Sequence, residues 1–256
     1  MRIAQISDTH ILAPGDDHPA QPARVENLRA CIADINRQGV DVVIHTGDTT
    51  QNGAPEEYEI LRALLSELDA PFFMVPGNRD RFAALRGIFP HLDYLPAEGD
   101  DFRYAVDGFP LRLIGLDSML PDVRKGVFGA DRISWLEEAL GQAPDTPTLL
   151  FMHHPPFDVP QAGYTDGYRD AADAEALTGA VSRHRQVIRL ICGHVHVLHG
   201  ERWGNAIATT MPSVAVDVRK GVAPEIGDAP VYMLHEYSED GELDSVMQVA
   251  GAARDA

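Results

Sequence analysis

Five short motifs along the first 200 residues combine acidic, amide and imidazole side chains at close spacing. They are Asp8-x-His10, Gly47-Asp48, Gly77-Asn78-Arg79-Asp80, His153-His154-Pro155 and Gly193-His194-Val195-His196. Oxygen and neutral nitrogen ligands without a thiolate suit Mn, Fe or Zn better than Ca, which prefers oxygen alone. Side chains of these types would therefore form a site for one of these metals if the fold brought them together.

Each motif has a simpler explanation when it is considered alone. Asp8 or Asp48 could cap a following helix, and Asn78 could occupy a left-handed turn. A single histidine is more often a hydrogen-bonded core residue than a ligand. The position of the motifs favours the metal site, because all five follow predicted β-strands.

Short β-rich runs alternate with helical segments over most of the chain. The predicted strands are Arg2–Ser7, Val42–Thr46, Phe72–Val75, Phe102–Val106, Leu111–Leu116, Leu149–Met152 and Val187–Cys192. Apolar residues at helical spacing predict helices over Ala23–Gln38, Glu56–Leu68, Asp131–Leu140 and Ala171–Arg185. This alternation predicts parallel strands covered by helices. Because the carboxyl ends of parallel strands face one crevice, we expect the five motifs to converge there.

Two of the motifs place candidate ligands at alternate positions. In Asp8-x-His10 and His194-x-His196 the period-two alternation of an extended chain would point both side chains the same way. Burying neighbouring carboxylates and imidazoles without a metal would be unfavourable. Composition and spacing therefore support a metal site by themselves.

The charge balance limits the classes of partner. The chain of 256 residues has a net charge of −18, from 39 acidic and 21 basic side chains. A surface this acidic repels nucleic acid polymers and anionic membranes, so neither is an expected partner. Bound cations can reverse the field locally, and a small anionic substrate is therefore compatible with the composition.

The cysteines and the apolar runs bear on location. Cys31 and Cys192 lie far apart, outside any CxxC pattern, and we expect them to be small buried thiols. A chain without a disulfide framework fits a reducing compartment. The sequence contains no signal-peptide pattern and no apolar run long enough to cross a bilayer. We therefore expect a cytoplasmic protein.

The last part of the chain lacks a helical period. Ile207–Thr210, Val231–His235 and Leu243–Val249 are predicted as antiparallel strands. We expect a single domain over residues 1–256, in which about 1–200 carries the motifs. The segment over about 201–256 would either extend a sheet or form a dimer contact, so a homo-oligomer is one possible state.

The order DxH, GD, GN-x-D, HHPP, GHVH resembles the calcineurin-like metallophosphoesterase family. Within it, the chain is similar to the class III cyclic-nucleotide and glycerophosphodiester phosphodiesterases. The segments RIAQISDTH and VFGADRISWLEEAL and the MPS after GHVH resemble the same branch. The motifs span Asp8 to His196, about three quarters of the chain. The resemblance implies an α/β fold, a four-layer αββα sandwich of two mixed β-sheets.

The resemblance also implies a pair of divalent metal ions, either Mn, Fe or Zn. The first ion would be held by Asp8, His10, Asp48 and His196. The second would be held by Asp48, Asn78, His153 and His194, so that Asp48 bridges the two. His153 is preferred to His154 because the family's ligand lies in an H-x-P arrangement, and alternation turns His154 away. We expect His154 to support a ligand or to pack beside the site.

The third motif departs from the pattern of many family members, which have histidine where this chain has Arg79. Arginine does not donate a proton at neutral pH, but it can bind a phosphate oxygen through two hydrogen bonds. The alternatives are a solvated Arg79 or one in a local ion pair. The next residue, Asp80, is expected to be the N-cap of a helix over Arg81–Phe89.

The expected function is a phosphodiesterase for small diesters, either 3′,5′-cyclic nucleotides or glycerophosphodiesters. The resemblance implies attack by a hydroxide that bridges the metals, with catalytic roles for Asp48, Asn78 and His194. Arg79 is added as a catalytic residue because its guanidinium can stabilise charge on the phosphoryl oxygens. GNRD also resembles the UDP-diacylglucosamine pyrophosphohydrolases, and a phosphomonoesterase is a further alternative. A catalytically silent binding scaffold is disfavoured, because all seven ligand positions are filled. Tyr164 and Tyr168, in the long loop over residues 155–169, are candidates for lining a substrate pocket.

Overall fold

Two mixed β-sheets form the centre of the protein in a computed structural model that describes residues 1–15, 18–95, 101–121, 123–162 and 167–251. The strands are β1 (Arg2–Ile6), β2 (Val42–His45), β3 (Phe72–Met74), β4 (Tyr104–Val106), β5 (Arg112–Leu116), β6 (Thr148–Met152), β7 (Val187–Cys192), β8 (His199–Trp203), β9 (Ala206–Thr210), β10 (Val231–Tyr237) and β11 (Leu243–Val249). The helices are α1 (Gln21–Gln38), α2 (Pro55–Leu65), α3 (Phe82–Ile88), α4 (Ala130–Gly141) and α5 (Ala171–Ser182).

The first sheet has the strand order β11-β10-β1-β2-β3, and the second has the order β4-β5-β6-β7-β9-β8. The strands β1, β2 and β3 are parallel, as are β5, β6, β7 and β9. Antiparallel strands complete one end of the first sheet and both ends of the second. The C-terminal strands β10 and β11 pair beside β1, so they extend the first sheet.

The core is divided between two apolar layers. The larger cluster joins both sheets to the helices α1, α2 and α3, with Leu28 of α1, Leu61 of α2 and Phe151 of β6 all fully buried. A second cluster joins the other face of the second sheet to α4 and α5, through Leu136 and Leu177. Burial of these apolar stripes holds the helices against the sheets. The layer order is αββα, and the predicted fold class is confirmed.

The predicted elements are confirmed, with differences at their ends. Helix α1 begins at Gln21 because Pro22 suits the first helical turn. Helix α2 ends at Leu65, where the chain tightens into a turn with Leu68 N–H donating to the Leu65 carbonyl. The strand β8 was not predicted, because it lies at a sheet edge where only Trp203 among its residues is buried, so it lacks an apolar pattern.

Cys31 and Cys192 are both buried free thiols, as expected. Within the described ranges, no helix combines the length and the apolar character needed to cross a lipid bilayer.

Candidate metal centre

The five motifs follow the carboxyl ends of β1, β2, β3, β6 and β7. Three of these strands belong to the first sheet and two to the second, so the motifs meet where the ends of both sheets come together. The backbone N–H of Asp8 donates to the Gly47 carbonyl at 3.0 Å within the first sheet. The backbone N–H of His194 donates to Oδ2 of Asp8 at 3.1 Å and joins the two sheets. The expected convergence is present, although the crevice lies between two sheets.

The strand ends carry unusual backbone conformations. Among the described residues, the non-glycine residues with positive φ are Asp8 (54°), His10 (45°), Asp48 (49°), His194 (71°) and His196 (60°). Left-handed conformations are unfavourable for side chains with a Cβ and are held at functional sites by the surrounding fold. The prediction that extended alternation aligns the ligand pairs is therefore wrong, because β1 and β7 end before them.

Four candidate ligands form a first group. Asp8, His10, Asp48 and His196 bring one ligand atom each to within 4.8 Å of one another. Nε2 of His10 and Nε2 of His196 are 3.2 Å apart. Nε2 of His196 is also 3.2 Å from Oδ1 of Asp8. Donor atoms this close, from residues distant in sequence, can surround one cation.

A second group lies beside the first. Nε2 of His153 is 3.2 Å from Nδ1 of His194 and 3.2 Å from Oδ1 of Asn78. Oδ1 of Asp48 is 3.5 Å from Nε2 of His153, while its Oδ2 is 3.8 Å from Nε2 of His10. The carboxylate of Asp48 therefore lies between the two groups.

The histidine rings are oriented by hydrogen bonds on the side away from the groups. Nδ1–H of His153 donates to the Thr46 carbonyl at 2.8 Å, and Nδ1–H of His196 donates to the Val218 carbonyl at 3.0 Å. These bonds leave the Nε2 lone pairs of both rings free to bind a cation. Burial lowers the pKa of His153 and lowers that of His10 to about 3, so both rings are neutral at pH 7.

His154 lies close to His153 and His194, and its ligand atoms satisfy the same 4.8 Å limit. Both of its ring nitrogens are already engaged, however. Nδ1 accepts from the Ser118 hydroxyl at 2.8 Å, and Nε2–H donates to the Arg124 carbonyl at 2.9 Å. His154 therefore packs beside the site and anchors the loop of Ser118 and Arg124, which agrees with the expected supporting role.

The donor set fits divalent cations. Burial, together with the charges of Asp8 and Asp80, raises the pKa of Asp48 well above its usual value. Nδ1 of the buried His10 has no hydrogen-bond partner in the described part of the chain. Bound positive charge would compensate for the repulsion between the facing imidazole lone pairs. It would also compensate for the repulsion between the buried carboxylates. The residues present therefore form a divalent metal centre.

Glycine precedes three of the candidate ligands, Asp48, Asn78 and His194, and allows the strand ends to approach. A Cβ on Gly193 would overlap Ser7 Oγ and lie 2.7 Å from Oδ2 of Asp8. A Cβ on Gly77 would overlap the backbone nitrogen of Asp48 and lie 2.8 Å from Cε1 of His153. This close contact is the physical reason for the Gly-Asn and Gly-His spacing.

Asp80 has a different role from the one predicted. The N-cap position of α3 is Arg81, without a side-chain cap, so the prediction of Asp80 as N-cap is wrong. The buried Asp80 carboxylate accepts hydrogen bonds from Gly77 N–H at 2.8 Å, Thr49 N–H at 3.1 Å and the Tyr58 hydroxyl at 3.1 Å. Hydrogen bonds from two loops stabilise the buried carboxylate more than a single bond at the start of a helix would. Asp80 therefore connects the loop after β3 to the loop after β2.

Arg24 is a supporting residue that the sequence-based prediction missed. Its side chain is only 2% exposed and pairs with Asp217 through bonds of 3.0 and 2.7 Å. Nη1–H also donates to the His10 carbonyl at 2.9 Å. Asp217 precedes Val218, which holds His196, so Arg24 links the backbones near two candidate ligands. The sequence could have indicated that Arg24 is buried, because it lies four residues before Leu28 and so shares the buried face of α1.

Arg79 is half-buried beside the two groups, and its backbone N–H donates to Oδ1 of Asp48 at 2.7 Å. Its side chain lines a cavity of about 570 Å³ that also contacts Asn78. Tyr168 packs into the second apolar cluster, and its hydroxyl donates to the His154 carbonyl at 3.5 Å. Tyr164 lies outside the described residues.

The comparisons with known proteins agree with this geometry. The model of the calcineurin-like phosphoesterase family matches residues 1–198. The chain is 35% identical to a probable glycerophosphodiester phosphodiesterase, GpdQ, from Arcobacter nitrofigilis, over 95% of this chain and 91% of that protein. It is also 35% identical to a probable cyclic nucleotide phosphodiesterase from Rhodopseudomonas palustris, over 77% of this chain and 72% of that protein.

A solved structure shows the same fold. The dimetal phosphatase from Danio rerio superimposes with a TM-score of 0.70 at 15% identity, over 98% of this chain and 99% of that one. The family expected from the ordered motifs is therefore confirmed. The chain belongs to the calcineurin-like phosphoesterase family.

Proposed function

We propose that the protein is a phosphodiesterase with two divalent metal ions that hydrolyses small phosphodiesters, either 3′,5′-cyclic nucleotides or glycerophosphodiesters. The position of Asp48 carries this proposal, because its two oxygens face two separate groups of donor atoms. The names of the relatives, which are phosphodiesterases for these two substrate classes, support the choice of substrate. The net charge of −18 supports a small substrate over a nucleic acid polymer or a membrane, and the buried free thiols support a cytoplasmic location.

The proposed ligands divide into two sets that share one carboxylate. The first set is Asp8, His10, Asp48 and His196, and the second is Asp48, Asn78, His153 and His194. Oxygen and imidazole donors without thiolate support Mn, Fe or Zn. When bound, the ions supply an activated water and stabilise negative charge on the phosphoryl oxygens.

The side chains of the protein orient the substrate and neutralise its charge. Arg79 lines the cavity together with Asn78, and its guanidinium can donate two hydrogen bonds to phosphoryl oxygens. Because arginine keeps its proton at neutral pH, Arg79 does not protonate the leaving alkoxide. The alkoxide instead takes its proton from solvent in the open cavity. His194 holds the two sheets together through its N–H bond to Asp8.

Arg79→Gln is expected to lower kcat/KM for bis(p-nitrophenyl) phosphate by about 10- to 100-fold, because one charged donor to the phosphoryl oxygens is lost. Arg79→Lys should recover only part of the loss, since lysine lacks the paired donors. Arg62→Gln, at an exposed residue of α2 that pairs with Glu59, is the control and should be neutral. Unchanged kinetics in Arg79→Gln would show that Arg79 is a solvated residue.

The proposed function is tested on protein stripped of metal with a chelator and then given Mn²⁺, Fe²⁺ or Zn²⁺. We expect metal-dependent hydrolysis of bis(p-nitrophenyl) phosphate and of cyclic AMP or glycerophosphocholine. The panel includes p-nitrophenyl phosphate and a nucleotide-linked pyrophosphate, which test the monoesterase and pyrophosphohydrolase alternatives. Folded protein that turns over none of the diesters with any of the metals would contradict the proposal.

A further inference from the structure

The cavity beside Asn78 is rich in arginine. Its walls include Arg79 and Arg81 after β3, and Arg124 from the loop between β5 and α4. We call this cavity of about 570 Å³ the arginine cleft. It opens directly beside the metal centre, because Asn78 lies 3.2 Å from His153 and also lines the cleft.

Arg81 and Arg124 have no carboxylate partner among the described residues, although both are exposed. Arg62 and Arg183, which are also exposed, pair with Glu59 and Glu137. Arg81 and Arg124 both line the same cavity as Arg79, in a chain whose net charge is −18. The carboxylate of Asp80 also borders the cleft, but it already accepts hydrogen bonds from two loops. Among the described residues that line the cleft, the charges that are not already compensated are therefore positive.

Both arginines are attached to the framework of the metal centre. The stem of Arg81 packs against Gly53, where a Cβ would overlap Cγ of Arg81, and its N–H donates to the Tyr58 hydroxyl at 2.7 Å. The carbonyl of Arg124 accepts from Nε2–H of His154 at 2.9 Å. The backbones of Arg81 and Arg124, which belong to two different loops lining the cleft, are therefore both anchored.

We propose that the arginine cleft binds a second anionic group of the substrate, a phosphate or a carboxylate beyond the scissile phosphate. This inference rests on the proposed function. The metal centre and Arg79 suffice for the single charge of a simple diester, so Arg81 and Arg124 provide charge for a further anion. Phe82 and Met119 also line the cleft and can contact the apolar part of the leaving group. The favoured substrates are small phosphodiesters that carry a second anionic group.

The test compares substrates that differ by one anion. Thymidine 5′-(p-nitrophenyl phosphate) is paired with its 3′-phosphorylated derivative, and glycerophosphoethanolamine is paired with glycerophosphoserine. For the pair that matches the cleft, we expect kcat/KM to be about tenfold higher with the added anion, mainly through KM. In the Arg81→Gln, Arg124→Gln double variant this ratio should fall to about one, whereas Arg62→Gln, Arg183→Gln should keep it. The two pairs show whether phosphate or carboxylate is preferred.

Binding is measured in parallel, so that the inference does not depend on turnover. Isothermal titration of thymidine 3′,5′-diphosphate and thymidine 5′-phosphate should show about tenfold tighter binding of the diphosphate, lost in the double variant. Arg124→Gln alone serves if the double variant does not fold. Equal binding and equal kcat/KM within each pair, with diester turnover intact, would overturn the second-anion site and leave the phosphodiesterase standing. Absence of all diester turnover would instead overturn the proposed function.

Discussion

Replacing Asp48 with asparagine is expected to lower kcat for bis(p-nitrophenyl) phosphate by about a thousandfold or more. The substitution Asp48→Asn keeps the shape of the side chain and removes the negative charge between the two groups of donors. Oδ1 of Asp48 is 3.5 Å from Nε2 of His153, and Oδ2 is 3.8 Å from Nε2 of His10. Because one carboxylate faces both groups, its loss should weaken the binding of both proposed ions.

The number of metal ions bound per chain distinguishes a carboxylate that bridges two ions from one that binds a single ion. At limiting Mn²⁺, wild-type protein is expected to hold about two ions per chain, and Asp48→Asn fewer than about one. Asp8→Asn is the matched comparison and should keep about one ion, because Asp8 belongs only to the first group. Asp145→Asn, at an exposed carboxylate, should keep both ions and full activity. If Asp48→Asn held two ions and kept kcat within tenfold of wild type, the bridging assignment would be wrong.

The architecture could be predicted from the sequence because its signals are local. The apolar stripe of α1, with Leu28, Ile32 and Ile35, repeats at helical spacing, and short β-rich runs separate the helices. Parallel strands then bring their carboxyl ends together whatever the loops do. Residues that follow β1, β2, β3, β6 and β7 could therefore be named as neighbours before their distances were known.

The detailed conformation of the loops could not be predicted in the same way. Asp8 and His194 were expected in extended backbone, yet both lie in left-handed turns that the packing of two sheets maintains. Asp80 accepts from Thr49, 31 residues away, and Arg24 pairs with Asp217, 193 residues away. No local pattern reports a partner at such separations. Buried polar groups that hold a site together therefore escape prediction more easily than the groups that face it.

Gly77→Ala is expected to lower both activity and stability, although it adds a single methyl group. The new Cβ would overlap the backbone nitrogen of Asp48 and lie 2.8 Å from Cε1 of His153. Backbone cannot move aside as a flexible side chain can, so the loops after β2 and β3 must separate. We expect a loss of about 2–4 kcal/mol in the free energy of unfolding, measured in urea on metal-free protein. At saturating Mn²⁺, kcat should fall by about a hundredfold, because Asn78 and Asp48 are displaced from each other.

The matched control is Gly141→Ala at the end of α4, where an added Cβ would meet no atom within 4 Å. Since alanine favours a helix more than glycine does, this variant should be neutral or slightly more stable, with unchanged kcat. Full activity and stability in Gly77→Ala would contradict the close packing of the two strand ends. A loss in Gly77→Ala but not in Gly141→Ala would mean that the metal centre depends on the contact between the loops. The ligand residues alone would then not support full activity if the two loops moved slightly apart, because the position of Asp48 between the two groups depends on the contact between these loops.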